Sequence, residues 1–388
     1  MTGLLLLQIA VILVVARLCG LLLARLGQPP VIGEMAAGLL LGPVVFGAAL
    51  PDLHAALFPA ASLPALSALA TLGLVLFMFV IGAELRAPDG ARAQVVAATR
   101  VAGLSALLPF ALALAVTAFP VLARILKDRR LQHTRVGRLA LSAAALLDVA
   151  AWIVLALLVA LTGGGDWTLL LRTLAGLALL LAVVYGGLRP LYAWLLHRHA
   201  HDGRPSGTVL AALLVGLFAC AAATEWLHLH AVFGAFLFGT CLPRDDRLLH
   251  SLVERIEHLA LVLLMPVFFA LAGLGTSTGA FTAAGLGALL LVLLVAVLGK
   301  VAGGGLGARW SGLSTRDSLA VGSLMNARGL MELIVMKVGL DAGLIGPEMF
   351  TLLLVLAIAT TLMTGPLLAL CGWRASPVEA DAGSGAGR

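Results

Sequence analysis

Of 388 residues, 61% belong to the hydrophobic set and only 11% are charged, a balance that excludes an ordinary water-soluble globular domain. Apolar runs of about 20 residues, each enough to cross a hydrocarbon layer roughly 30 Å thick, recur from Leu4 to Leu370, so one membrane domain fills nearly the whole chain. The formal charge of +6 would raise the question of nucleic acid in a soluble protein, but here the basic residues sit between apolar runs as topology signals, and no nucleic-acid partner is expected.

The first run, Leu4 to Leu23, has no basic residue ahead of it, holds Arg17 inside it and lacks a small-residue cleavage site, which reads as a retained helix rather than a signal peptide. Spans are expected at 4–25, 31–48, 64–84, 137–162, 168–189, 207–227, 230–243, 258–274, 281–304, 317–338 and 349–372, with 93–126 left open. Arg25, Arg86, Arg92, Arg100, the basic run Arg124 to Arg138, Arg189, Arg198, Arg204, Arg244, Arg247, Arg255, Arg309, Arg316 and Arg374 fall in connections that share one face. The opposite connections, near Pro51, Gly163 to Asp166, His228, Gly275 to Gly279 and Asp341 to Pro347, are nearly free of Lys and Arg. The positive-inside rule makes the first face cytoplasmic, which places the N-terminus outside and the C-terminus inside a cell (inner or plasma) membrane. The tail 374–388 is rich in small residues, cannot bury a core, and is expected to be disordered. The four cysteines lie in or beside apolar segments without metal-ligand spacing and read as small packing residues.

The open segment carries a conflict. Arg92 and Lys127 both belong to the cytoplasmic face, so the chain between them crosses an even number of times. Its 34 residues fall short of the roughly 40 that two full helices and a turn require. Either a short or re-entrant hairpin forms there, or part of a natural hairpin is missing.

The chain also repeats itself. Val31-Ile32-Gly33-Glu34-Met35-Ala36-Ala37-Gly38 shares V-x-G-x-x-x-x-G with Val232 to Gly239, and Phe77 to Leu85 echoes Phe268 to Leu274. On the topology above the two copies run in opposite directions. The expected organisation is a first inverted repeat at 1–162 with a shortened hairpin at 93–126, a linker helix and cytoplasmic loop at 163–205, and a second repeat at 206–373. Each half holds an interrupted apolar segment, Thr117-Ala118-Phe119-Pro120 in the first and Asn326-Ala327-Arg328-Gly329 in the second. Proline removes a backbone donor and glycine loosens a helix, so broken helices are expected at both, with freed carbonyls and opposed helix ends suited to holding an ion.

Asp148 lies near the middle of an otherwise apolar run, LALSAAALLDVAAWIVLALL. An ionised carboxylate there costs about 2.5 to 3.5 kcal/mol even on the lenient insertion scale. Such a group holds either a proton or a desolvated monovalent cation, each excluding the other, which is the minimal logic of exchange. Arg328 and Glu332 are four apart on one helix face and suited to pair within the membrane. Lys300 is read either as a partner for an intramembrane acid or as a snorkelling lysine. Glu34, after the helix start at Pro30, reads as a structural acid that either caps the helix or pairs with Arg328 or another base, and His197 to His201 reads as a polar cytoplasmic connection.

The strings PPVIGEMAAGLLLGP, LGLVLFMFVIGAEL, TAFPVLARILKDRRL, LDVAAW, HAVFGAFLFG and NARGLMELIV, taken in order, resemble the monovalent cation:proton antiporter family, in the branch of plant and bacterial cation/proton exchangers and glutathione-gated potassium efflux systems. The resemblance covers nearly the entire chain. It implies an all-α polytopic inverted-repeat antiporter fold of about 12–13 helices with two crossed broken helices, a homodimer, and a mobile core carrying the ion site. It also implies a transport aspartate at Asp148 with Thr117 at the unwound crossing beside it, Na⁺ or K⁺ and H⁺ as transported species, and no cofactor. Many relatives carry two consecutive central acids, or Asn then Asp, where this chain has Leu147 before Asp148, so electroneutral one-for-one exchange is expected. Relatives also have two separate helices where this chain is about 30 residues short, near Leu108 to Phe110. The alternatives are a non-transporting or impaired sensor or scaffold on the same fold, and a sodium-coupled solute carrier, which would need a larger polar cavity than the Ala, Leu and Val here suggest. An enzyme is not expected, because no span presents a nucleophile with a base at helical spacing.

Overall fold

The computed structural model describes residues 2–26, 28–84, 121–122, 125–126, 131, 134–144, 146–147, 167–199, 207–227, 229, 231–243, 247–329, 332–333, 336, 339–340 and 345–371. Every regular element among them is helical, the form in which a single chain segment satisfies its own backbone polar groups in lipid. Eight helices among the described residues are long and apolar enough to span a bilayer, so the chain is a multi-pass membrane protein. Leu18, Leu22, Leu290 and Leu294 are more than half exposed, which suits a fold whose solvent is hydrocarbon.

Helix α1 (Thr2–Arg25) is followed by α2 (Pro30–Leu41), which opens on Pro30, where a missing N–H costs nothing. A π-helical turn, Pro43–Gly47, leads on to a short α3 (Pro51–Leu57), so the connection near Pro51 is itself helical, and then to α4 (Leu63–Glu84). After α5 (Trp167–Val183) a second π-helical turn, Val184–Leu188, joins α6 (Arg189–His199). The helix therefore runs through His197, Arg198 and His199, which the sequence reading assigned to a polar connection. Pro190 follows closely on the π-helical turn, inside a helical stretch that runs on to Arg198. Arg198 lays its guanidinium 5.3 Å above the Trp194 ring, which holds the end of α6 together.

The second half holds α7 (Gly207–Trp226), α8 (Ala231–Cys241), the amphipathic α9 (Arg247–Leu259) continued through a π-helical turn into α10 (Met265–Leu274), α11 (Ala283–Trp310), α12 (Thr315–Met325) and α13 (Pro347–Leu370). The span expected at 317–338 starts earlier, because Ser314 caps it by accepting from the Asp317 amide at 3.1 Å. Of the expected tail and the open segment, 374–388 and nearly all of 93–126 lie outside the described residues.

The packing sorts into two compact units that do not follow the sequence halves. One comprises Met1–Leu13, Phe58–Ala87 and Leu155–Leu271, and the other Val14–Leu57, Pro88–Val154 and Ala272–Arg388. In the first, Gly239 of α8 packs on the Phe79 carbonyl and the Gly82 backbone of α4, and Gly234 packs on the Cys220 carbonyl of α7. Phe79 stacks on Phe238 at 5.8 Å between centroids, and Tyr192 meets Phe238 edge-on at 5.0 Å while donating to the Ala212 carbonyl at 2.7 Å.

The second unit repeats the motif. Gly33 of α2 lies against Gly20 of α1, and the Gly38 carbonyl lies against Gly273 of α10. The shared V-x-G-x-x-x-x-G thus has the same use in both copies: its first glycine meets the preceding helix, and its second meets the third span of the opposite half. Pro366 inside α13 leaves the Leu362 carbonyl without its helical donor, and Gln28 Nε2 supplies one at 3.3 Å.

A β-carbon on Gly33 would lie 2.5 Å from the backbone of Gly20, which has no flexible end to yield. Gly33→Leu is expected to cost about 1–3 kcal/mol or more by forcing α1 from α2, read as an earlier thermal unfolding midpoint in detergent. Gly3→Leu, at a position with open space around it, leaves that midpoint unchanged.

Candidate functional site

The site is built around the place where α12 stops. Its last backbone bonds shorten to a three-residue span, Asn326 N to Ser323 O at 3.3 Å and Ala327 N to Leu324 O at 3.1 Å, the tightening typical of a terminating helix. Residues 327–329 are not helical, and helical hydrogen bonding resumes where Leu333 N donates to Gly329 O at 3.0 Å. An interruption this deep leaves backbone polar groups in need of partners.

Helix α13 provides them. Arg328 N donates to Thr361 Oγ1 at 2.9 Å, and the same hydroxyl, lying 2.8 Å from Arg328 O and 2.7 Å from Ala357 O, shares its proton between the broken segment and its own helix. Asn326 Nδ2 donates to the Thr360 carbonyl at 2.9 Å. Thr360, Thr361 and Thr364 are all buried. None of these threonines was among the residues singled out from the sequence, although a Thr-Thr pair in an apolar run, AIATTLMTGP, is a readable sign of a helix that offers hydroxyls to a neighbour.

The charges are also buried. Arg328 Nη1 donates to Glu332 Oε1 at 2.8 Å, and both side chains are fully removed from solvent. The pair anticipated from the i, i+4 spacing is formed. Lys300 is fully buried in α11 within electrostatic reach of Glu332, which is the intramembrane-partner reading and not the snorkelling one. Close passage of α11 and α12 makes this possible, because Gly322 rests on the Val301 carbonyl. Glu34 is buried in α2, and the sulfur of its neighbour Met35 lies near Gly329.

Val121, the residue after the Thr117-Ala118-Phe119-Pro120 string, packs so tightly on Gly329 that a β-carbon there would lie 2.6 Å from Val121 Cγ2. Thr117, Ala118, Phe119, Pro120 and Asp148 lie outside the described residues, while their neighbours Val121, Leu122 and Leu147 are buried. Asn326, Arg328, Gly329, Glu332, Lys300 and Glu34 are thus placed in one compact unit. Among the described residues no group of three or more His, Cys, Asp or Glu is arranged to hold a metal ion.

Comparison with known proteins gives this arrangement its context. The family pattern described as "Sodium/hydrogen exchanger, transmembrane" matches residues 11–112 and 91–371, two stretches that overlap at 91–112. The chain is 35% identical over 395 residues to the Na(+)/H(+) antiporter NhaS4 of Synechocystis sp., covering 94% of this chain and 96% of that protein. It is 37% identical over 403 residues to Cation/H(+) antiporter 17 of Arabidopsis thaliana, covering 94% of this chain but 48% of that protein, so the chain spans about half the length of the plant relative. The alignment with NhaS4 has 395 positions but takes in 94% of 388 residues, which leaves about 30 positions that this chain does not fill. Among solved structures, the sodium proton antiporter MjNhaP1 from Methanocaldococcus jannaschii at pH 8 shares the fold, with a TM-score of 0.60 at 16% identity over 97% of each chain. With the family pattern spanning nearly the full length, the chain belongs to the transmembrane sodium/hydrogen exchanger family.

Proposed function

We propose that this protein is a secondary active transporter that exchanges a monovalent cation, Na⁺ or K⁺, for protons, with Asp148 as the group that alternately holds the two and Thr117 beside it at the unwound crossing. The observation that carries the reading is the interrupted helix at 326–329, packed against Val121 and lined by fully buried charges. Ionisable side chains deep in a membrane domain mark ion pathways. The names of the relatives support it, since they are antiporters of Na⁺ or of cations for H⁺.

One-for-one, electroneutral exchange follows from counting charge. The buried groups described here, Lys300, Arg328, Glu332 and Glu34, comprise two cations and two acids, so Asp148 adds a single negative charge that one cation or one proton neutralises. Transport on this reading moves no net charge. The protein sits in the cell membrane with its N-terminus outside and C-terminus cytoplasmic, and works as a homodimer.

Proteoliposomes loaded with a pH-sensitive dye and challenged with Na⁺, K⁺ or Li⁺ gradients test this. The expected result is cation-driven proton movement with no membrane potential. A potential generated by transport would overturn the stoichiometry, and absence of proton movement with every cation would overturn the function.

A specific observation favours a second reading. The shortfall of about 30 aligned positions, the split of the family match into two stretches that overlap at 91–112 and the parity conflict at 93–126 point to a shortened hairpin. On that reading the chain is an impaired or non-transporting scaffold, and lengthening this hairpin would switch on exchange that the native chain lacks.

A further inference from the structure

Asn326 is fully buried, and its amide is oriented without ambiguity: the nitrogen faces the Thr360 carbonyl at 2.9 Å, an acceptor that only the NH₂ can satisfy. The oxygen is therefore left to find a partner of its own. Asn326 Oδ1 has no hydrogen-bond partner among the described residues. A buried acceptor left unsatisfied is expensive and is normally matched by protein or by a bound species.

Resting on the exchange reading above, we infer that Asn326 Oδ1 is a neutral oxygen ligand for the transported monovalent cation at the interrupted helix. An amide oxygen offers a lone pair to Na⁺ or K⁺, yet it does not take up a proton at physiological pH. It thus contributes to one of the two competing states and not to the other, giving the cation a hold that does not depend on the carboxylate. Its surroundings fix it in place. Thr360 orients the amide, and Thr361 pins the backbone two residues on.

Glu332 Oε2 is the other acceptor in this unit's broken segment without a hydrogen bond among the described residues. It is the poorer cation ligand, because Arg328 at 2.8 Å and the nearby Lys300 already surround the carboxylate with positive charge. Asn326 carries no such screen on its own side chain.

The test compares the full-length protein with Asn326→Ala in proteoliposomes and in detergent. In transport, the apparent KM for Na⁺ or K⁺ rises about tenfold while the half-maximal pH at saturating cation stays where it was. In detergent, the upward shift of the thermal midpoint on adding 100 mM NaCl or KCl, relative to choline chloride, is present in the native protein and lost in the variant. Asn326→Ser, a smaller polar side chain that likewise removes the amide oxygen, also loses the cation-dependent shift and serves if the alanine variant does not fold. An unchanged KM, a fall in maximal rate alone, or equal cation shifts in native and alanine proteins would mean that Oδ1 holds only a structural water, and would overturn the inference. A native protein that is stabilised by the cation through Asn326 but does not exchange it would sink the transport reading and leave this one standing. A native protein with no cation-dependent shift overturns it.

Discussion

Replacing Asp148 with asparagine is expected to abolish pH-dependent cation exchange while leaving the protein inserted in the membrane. The amide nearly matches the carboxyl in shape and removes a charge whose insertion costs about 2.5 to 3.5 kcal/mol, so membrane insertion and thermal midpoint hold or improve. What is lost is the ability to exist in two neutral forms, one with a proton and one with a metal ion. Dye-loaded proteoliposomes under a Na⁺ or K⁺ gradient should show native proton movement and, for Asp148→Asn, only the leak of empty vesicles. Ordinary exchange by the variant would remove the carboxylate from the carrier role and shift attention to Lys300 or Glu332 as the titrating group. The comparison also separates the two functional readings, because a native chain already at the leak rate supports the impaired scaffold.

The parts of this molecule that were legible in advance are those governed by one-dimensional physics. Span positions follow from the length of apolar runs, and the interruption at Asn326 to Gly329 follows from glycine and polar residues placed where lipid tolerates neither freely. The Arg328–Glu332 pair was readable because both partners sit on one helix, and helix geometry alone brings residues four apart together. What needed three dimensions was less accessible. Thr361 gains its role from a segment more than thirty residues away in sequence, whereas Thr360 meets Asn326 through its main-chain carbonyl and turns its hydroxyl back to Leu356 O, the commoner use of threonine in a membrane helix. Lys300 offered two readings because snorkelling depends on what covers the ammonium, a property of the neighbouring helix and not of the span that carries it. The glycine repeat was visible as a string. That its second glycine serves the opposite half, through Gly38 on Gly273 and Gly239 on Gly82, appears only when the two copies are seen packed.

Arg328→Ala is expected to destabilise the protein strongly, by about 3–5 kcal/mol, because it leaves the Glu332 carboxylate buried without its hydrogen-bonded counter-charge. The backbone break itself should survive, since Thr361 holds it through the Arg328 amide and carbonyl and not through the guanidinium. Lys300 remains in reach of Glu332 and softens the loss, so the effect belongs at the lower end of that range. Glu332→Ala should cost at least as much, because it removes the acid that Arg328 bonds and that lies within reach of Lys300. The double variant Arg328→Met with Glu332→Leu removes both charges and refills the volume, and should recover most of the stability lost by either single change. Thermal unfolding in detergent across this cycle measures the coupling directly, and simple additivity of the two single losses would show that the pair is not an interacting unit. Exchange measured on the recovered double variant then decides what the pair is for. Stability restored with transport intact makes it a clamp, whereas stability restored with transport abolished means that the charges shape the field in which the cation and the proton compete.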